Sequence, residues 1–337
     1  MLSVYPLCVT EAASEAGGQA PGADAGGAGL DAILGRVPVL AGTPRTVSEL
    51  PGGLTNRNYK VTTPDGSFVA RLWSHGDLLA INRDHEYHNS MAAAQAGVGA
   101  PVVAYHPDDS LLVLRYIDGR TYGNADVCEP ANIGRIALAC HCLHDGPRFR
   151  GEFNVFTNQR RYRSVAREHG FTIPAGYDDL MPRVEDARKA LEVRETGTVP
   201  CNNDLLAANF IDDGEQIWII DYEYSGNNDP CFELGNIWGE CGMSTDALAD
   251  LVTSYYGHAL RNKIARARLL GVAARYGWTL WGAIQHATSP IDFDFWAWAM
   301  ERYEWAAHHL TSHDFGHLLE DVQREDLWQS GERTYQP

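Results

Sequence analysis

The sequence predicts an α+β fold in two parts, a small antiparallel sheet with one helix and then a larger, mainly helical part. Three observations carry that expectation. Between residues 46 and 115, short apolar or alternating runs are separated by Gly, Pro, Asn and Asp, as in strands joined by tight turns. Beyond residue 130, apolar residues recur with helical spacing over long stretches. Between two of those stretches lies PCNNDLLAANFIDDGEQIWIIDYEY, a short apolar hairpin crowded with Asn and Asp.

Residues 1–28 are rich in Ala and Gly with little to bury, and are expected to be a mobile leader. A short amphipathic helix is expected near 30–34. A strand at 46–50 leads into the turn-rich loop Pro51-Gly52-Gly53-Leu54-Thr55-Asn56-Arg57-Asn58. Strands at 59–63 and 67–73 flank Pro64-Asp65-Gly66. A glycine loop between strands can bring backbone N–H groups close to phosphate. A helix is expected over 79–96. Its His85-Glu86-Tyr87-His88 lacks the second histidine of a zinc helix, because position 89 is Asn89. No Walker A motif and no GxGxxG occurs.

Strands at 101–105 and 111–115 complete the sheet, and the boundary between the two parts is expected at Leu114-Arg115-Tyr116-Ile117. The expected division is a leader at 1–28, an N-terminal lobe at 29–116 and a C-terminal lobe at 117–337. In the second lobe, a helix over 131–144 stops at Asp145-Gly146-Pro147. It contains Cys140-His141-Cys142, but successive helical positions point to different faces, which favours a packed helix end over a metal site. Further helices are expected at 178–194, 231–241, 246–258, 263–285 and 292–309.

The chemistry concentrates near residue 204. Asp204 is followed five positions on by Asn209, and the apolar run 217–220 delivers Asp221. Phosphoryl transfer uses a carboxylate to position or deprotonate a hydroxyl, an amide oxygen on metal, and a second metal-binding carboxylate, with this interval in protein kinases. Trp278 and Trp281, three apart, share one helix face. Aromatic faces with a carboxylate can hold a quaternary ammonium; the competing reading is that tryptophans fill a helical core.

These motifs resemble the choline/ethanolamine kinase branch of the aminoglycoside-phosphotransferase-like, protein-kinase-like fold. The family loop HNDLxxxN is matched by Asn203-Asp204-Leu205 and Asn209, and its IDFEY by Ile220-Asp221-Tyr222-Glu223-Tyr224. Asn202 stands where the family has His, and is expected to replace one of its loop-bracing hydrogen bonds. Leu143-His144, the segment 151–156, the GGxTN loop at 52–56, and WxxW with Gln285 and IDFDF extend the likeness over about 45–310.

The resemblance implies a bilobal protein-kinase-like fold, ATP and Mg²⁺ as cofactors, and phosphorylation of choline or a related amino alcohol. It implies Asp204 as base, Asn209 and Asp221 as Mg²⁺ ligands, and Glu223 in support. It places Thr55 and Asn56 in the phosphate loop, Arg71 on nucleotide phosphate with Glu86 steadying it, and Arg115, Tyr116 and Ile117 against adenine. Glu240, Trp278, Trp281 and Trp298 become the wall around the substrate cation. Alternatives are ethanolamine, thiamine or an aminoglycoside as substrate, or a non-catalytic protein binding nucleotide or a quaternary amine. Asn202 favours the non-catalytic reading; the intact Asp204, Asn209 and Asp221 oppose it.

A net charge of −17 argues against nucleic acid as partner and suits a cationic alcohol. No run is long enough for a membrane span. A second copy of the chain, giving a homodimer, is the other candidate partner. Seven scattered cysteines and no secretory signal lead to the expectation of a reducing cytoplasm.

Overall fold

The computed structural model describes residues 23–73, 77–79, 81–194 and 196–325. The expected leader lies outside the described residues up to position 22; from Ala23 it enters helix α1 (Ala23–Leu34). Two compact units form, one running to Trp73 and resuming at Val103–Tyr116, the other comprising Ser74–Val102 and the chain from Ile117.

The first unit holds an antiparallel sheet of β1 (Thr46–Leu50), β2 (Asn56–Thr63), β3 (Gly66–Trp73), β4 (Val102–His106) and β5 (Leu111–Arg115), in the order β1-β2-β3-β5-β4. Alternation puts Val61, Phe68, Ala70, Leu111 and Val113 on a buried face, where they pack with Leu34, Val37 and Leu40. The β2–β3 turn is locked by Thr63, whose hydroxyl accepts from Asp65 N–H and donates to the Gly66 carbonyl. Gly66 has φ +127°, which only glycine adopts cheaply. β2 starts at Asn56, earlier than turn composition suggests, because Asn56 pairs across the hairpin with Trp73.

The second unit begins with α2 (Arg83–Gln95), capped by the Asn82 side chain on His85 N–H. That cap shortens the helix expected at 79–96. Then come β6 (Arg120–Thr121), α3 (Asn124–Val127), α4 (Pro130–His144), α5 (Val155–His169) and α6 (Met181–Glu192). Strands β7 (Val199–Cys201) and β10 (Gly226–Asn228) pair antiparallel, and β6-β8-β9 form a small sheet with β8 (Phe210–Asp212) and β9 (Ile217–Ile219). The expected hairpin is β8–β9, its turn tied by the Asp213 carboxylate, which accepts from Glu215 and Gln216 N–H.

Helices α7 (Pro230–Cys241), α8 (Thr245–Tyr256), α9 (Arg261–Thr288), α10 (Phe295–Thr311) and α11 (Asp314–Val322) complete the unit. α9 is its spine: it is buried almost throughout 265–285 and packed by α5, α7, α10 and α11. α7 meets α9 backbone to backbone. A Cβ on Gly235 would lie 2.0 Å from the Ala267 carbonyl oxygen, and one on Gly271 would lie 2.4 Å from that of Gly235. Among the described residues, no helix is long and apolar enough to cross a membrane.

Candidate active site

The loop from Asn202 to Asn209 joins β7 to β8 and is built on α7. Glu233 accepts from the backbone N–H groups of Asn202 and Asn203 at 2.8 and 2.9 Å, one on each carboxylate oxygen. Asn236, one helical turn on, accepts from Leu205 N–H at 2.7 Å. Two charge-assisted bonds and one amide bond thereby hold the backbone on either side of Asp204. Asn203 takes φ +70°, and its side-chain amide donates to three backbone carbonyls, those of Cys201, Tyr224 and Gly226.

Asn202 braces the loop more fully than the single bond expected of it. Its amide donates to the carbonyls of Ile220 and Asp221 at 3.1 and 2.8 Å, and its side-chain oxygen accepts from Asp204 N–H. Asp221 needs that hold, because its φ of +65° is left-handed, and such a conformation costs a non-glycine residue about 1–3 kcal/mol. Behind the loop, His144, Cys201 and Glu233 are buried with their ligand atoms within 4.8 Å of one another. Both Glu233 oxygens already serve loop N–H groups, and His144 Nδ1 is hydrogen-bonded to Tyr255 at 2.7 Å, so the three act as a brace.

Asn209 donates its amide to the Asp204 carbonyl at 2.7 Å, which leaves its side-chain oxygen as a ligand atom. Its own carbonyl accepts from Ile220 N–H, so Asp221 emerges beside it. Desolvation pushes the Asp204 carboxyl well above the usual carboxylate range, and the charges of Asp221, Glu223 and Glu240 push the same way; Arg302 opposes them. A concentration of carboxylates of this kind is a place for cations. Arg83 donates to Glu86 at 2.6 Å and to Glu223 at 3.2 Å. Beside Glu223 opens a cleft of about 130 Å³, lined in part by Phe153, Arg161, Tyr162 and Tyr224.

A model of the choline/ethanolamine kinase family matches residues 47–257. The chain belongs to the choline/ethanolamine kinase family. It is similar to the protein LicA of Haemophilus influenzae, with 28% identity over 232 residues, 65% of this chain and just under two thirds (66%) of that relative. It is similar to human ethanolamine kinase 2, with 30% identity over 266 residues, 70% of this chain and 67% of the relative. Its structure resembles that of a choline/ethanolamine kinase family protein from Mesorhizobium loti at 31% identity and a TM-score of 0.77, covering 87% of this chain and 98% of the other. The fold is the α+β, protein-kinase-like fold of this family.

Within this family member, three tryptophans and a carboxylate form an aromatic corner. Trp278 and Trp281 are buried on α9. Tyr224 accepts a hydrogen bond from Trp281 Nε1 at 2.6 Å and sets its ring edge-on to Trp278 at 5.1 Å. Trp298 of α10 lies 5.1 Å from Trp281. Trp278 Nε1 is buried without a hydrogen-bond partner among the described residues. Glu240 of α7 is buried and bound to Arg302, whose guanidinium carbon sits 3.3 Å from the centre of the Trp298 ring.

The family residues expected at the nucleotide divide between the units. Thr55, Asn56, Arg71, Arg115 and Tyr116 belong to the first; Glu86 and Ile117 belong to the second. Asn56 donates to the Thr55 hydroxyl at 2.9 Å. Arg71 is buried on β3, in register with Leu112. Arg115 stacks over Phe68 at 4.6 Å, and Tyr116 N–H bonds the Ser67 carbonyl. Four residues near the site went unread in the sequence: Arg83, Glu233, Asn236 and Arg302. Their signal was spacing. Arg83 is one turn before Glu86, Glu233 one turn before Asn236, and Arg302 one turn after Trp298.

Proposed function

We propose that this family member transfers the γ-phosphoryl group of ATP, with Mg²⁺, to the hydroxyl of choline, ethanolamine or a closely related amino alcohol. One observation carries the reading: Asp204, Asn209 and Asp221 converge where a single braced loop meets the end of β9. The donor set suits Mg²⁺, since the Asn209 amide oxygen and the Asp221 and Glu223 carboxylates are hard oxygen ligands. Bound there, Mg²⁺ supplies charge neutralisation across the nucleotide phosphates.

Asp204 orients the substrate hydroxyl and takes its proton as the bond to phosphorus forms. Asn202 keeps the carboxylate in line by bonding Asp204 N–H while fixing Asp221. In the first unit, Arg71, with Thr55 and Asn56, balances phosphate charge and the backbone of 115–116 receives adenine; in the second, Glu86 is held by Arg83. Glu240 and the aromatic corner take the ammonium group. The reaction is positioning and electrostatics, without a covalent intermediate. The bracing by Asn202 speaks against a non-catalytic protein, since the position that motivated that reading is fully used. A reducing cytoplasmic setting belongs to the same proposal; the six described cysteines are free.

The test is ADP release from ATP and Mg²⁺ across a panel of choline, ethanolamine, thiamine and an aminoglycoside. Turnover confined to choline or ethanolamine is the expected result. Turnover with none of the four, despite nucleotide binding, would overturn it.

A further inference from the structure

We infer, resting on the amino-alcohol kinase reading above, that Arg302 is a positioning residue of the ammonium site. It clamps one oxygen of Glu240 and covers one face of Trp298, so that the other oxygen and the remaining aromatic wall meet the substrate in fixed geometry.

Arg302 is buried and lies one helical turn from Trp298, which brings its guanidinium over the indole. The same group bonds Glu240 Oε2, and its second nitrogen reaches Glu301 at 3.2 Å. Glu301 also accepts from Arg275 at 2.8 Å, and Arg275 lies over Trp305. Two carboxylates and two guanidiniums thus close a charge-balanced chain between α7, α9 and α10. Such a chain is rigid because each planar fork admits few orientations.

A purely structural ion pair would satisfy both carboxylate oxygens. Glu240 Oε1 is buried and makes no hydrogen bond among the described residues; Arg275 Nε is 3.7 Å from it, beyond hydrogen-bond reach. The corner lies within electrostatic reach of the proposed base, since the charges of Glu240 and Arg302 both act on Asp204. A buried acceptor without a donor, in an aromatic corner within electrostatic reach of the proposed base, is a seat for a substrate cation. Arg302 keeps that oxygen from turning away to a guanidinium.

The experiment compares the full chain with Arg302→Lys, Arg302→Met and the double variant Arg302→Met/Glu240→Gln. Steady-state kinetics and calorimetric titration use choline, ethanolamine and ATP. Arg302→Met should raise KM and Kd for both alcohols by about tenfold or more and hold KM for ATP within about twofold. Arg302→Lys keeps the charge but loses the plane, and should fall between. The double variant carries no uncompensated buried carboxylate, so it should fold even if the single variant does not, with the same loss.

Unchanged or tighter amino-alcohol binding in a folded variant would overturn the inference, tighter binding meaning that Arg302 competes for the seat. An equal rise for ATP and alcohol would reduce Arg302 to a packing residue. A wild type that turns over neither alcohol would defeat the kinase reading itself, whereas an active wild type matched by its variants would defeat only this inference.

Discussion

The side-chain amide of Asn202 donates to the carbonyl of Asp221 at 2.8 Å. Through that bond a residue two positions before the proposed base holds the proposed metal ligand in its left-handed backbone conformation. Asn202→Ala removes a donor from two carbonyls and an acceptor from Asp204 N–H. Each buried group left unpaired costs about 1–3 kcal/mol. The variant should melt lower and lose kcat; Asn202→His should retain more of both. An alanine variant with wild-type kcat would remove Asn202 from the mechanism.

Asp204→Asn and Asp221→Ala should fail in different ways. The first keeps nucleotide binding and loses turnover by about 10²–10⁴-fold, the usual contribution of a general base. The second loses Mg²⁺-dependent nucleotide binding, because a hard cation needs carboxylate oxygen. Calorimetric titration of ATP with and without Mg²⁺, beside single-turnover kinetics, separates the two. An Asp204→Asn enzyme with more than about a tenth of wild-type kcat would not have lost its base.

Trp278 offers the cleanest probe of the aromatic wall, because among the described residues its N–H makes no hydrogen bond that a substitution would break. Trp278→Leu keeps apolar bulk and removes a π face worth roughly 0.5–2 kcal/mol to a cation. KM for choline should rise several-fold while KM for ATP stays put. The neutral isostere 3,3-dimethylbutanol should be hurt much less than choline. Equal loss for the charged and neutral compounds would mean that the ring is core and nothing more.

His309 predicts a pH dependence of stability. Its ring lies 3.9 Å from that of Trp305, and desolvation lowers its pKa below the ordinary 6.5, with His308, Arg268 and Arg275 adding repulsion. The folded state therefore favours the neutral ring. Stability is complete above about pH 6.5 and is lost as pH falls through the lowered folded value. The melting temperature should decline across that acid range, and His309→Gln should flatten the decline. An unchanged pH profile in the variant would assign the effect elsewhere.

The parts of this protein legible in its sequence are those that repeat a local rule. Asp204, Asn209 and Asp221 declare themselves by interval, and α9 by a long apolar period. α5 went unseen because its buried stripe is Val155, Phe156, Gln159, Tyr162 and Ala166, in which Gln and Ala weaken the contrast, although Asn154 and Gly170 cap it in the usual way. β6 and β10 are two and three residues long and exist only through their partners β8 and β7. Arg302 reads as a solvated charge on an amphipathic helix; only packing reveals it beneath Trp298. Long-range ion pairs leave no trace in spacing along one segment.

The glycine contact between α7 and α9 has a consequence for the length of the substrate. α7 carries Glu233 and Asn236, which anchor the loop of the proposed base; α9 carries Trp278 and Trp281, the proposed wall for the ammonium. With Gly235 and Gly271 touching through their backbones, these helices behave as one jaw of a caliper. Under the proposed roles, the spacing it fixes would set how many carbons can separate charge from alcohol. Chain-length selectivity then resides at a joint that no substrate touches, and a methyl group added there would reset the gauge for every amino alcohol at once.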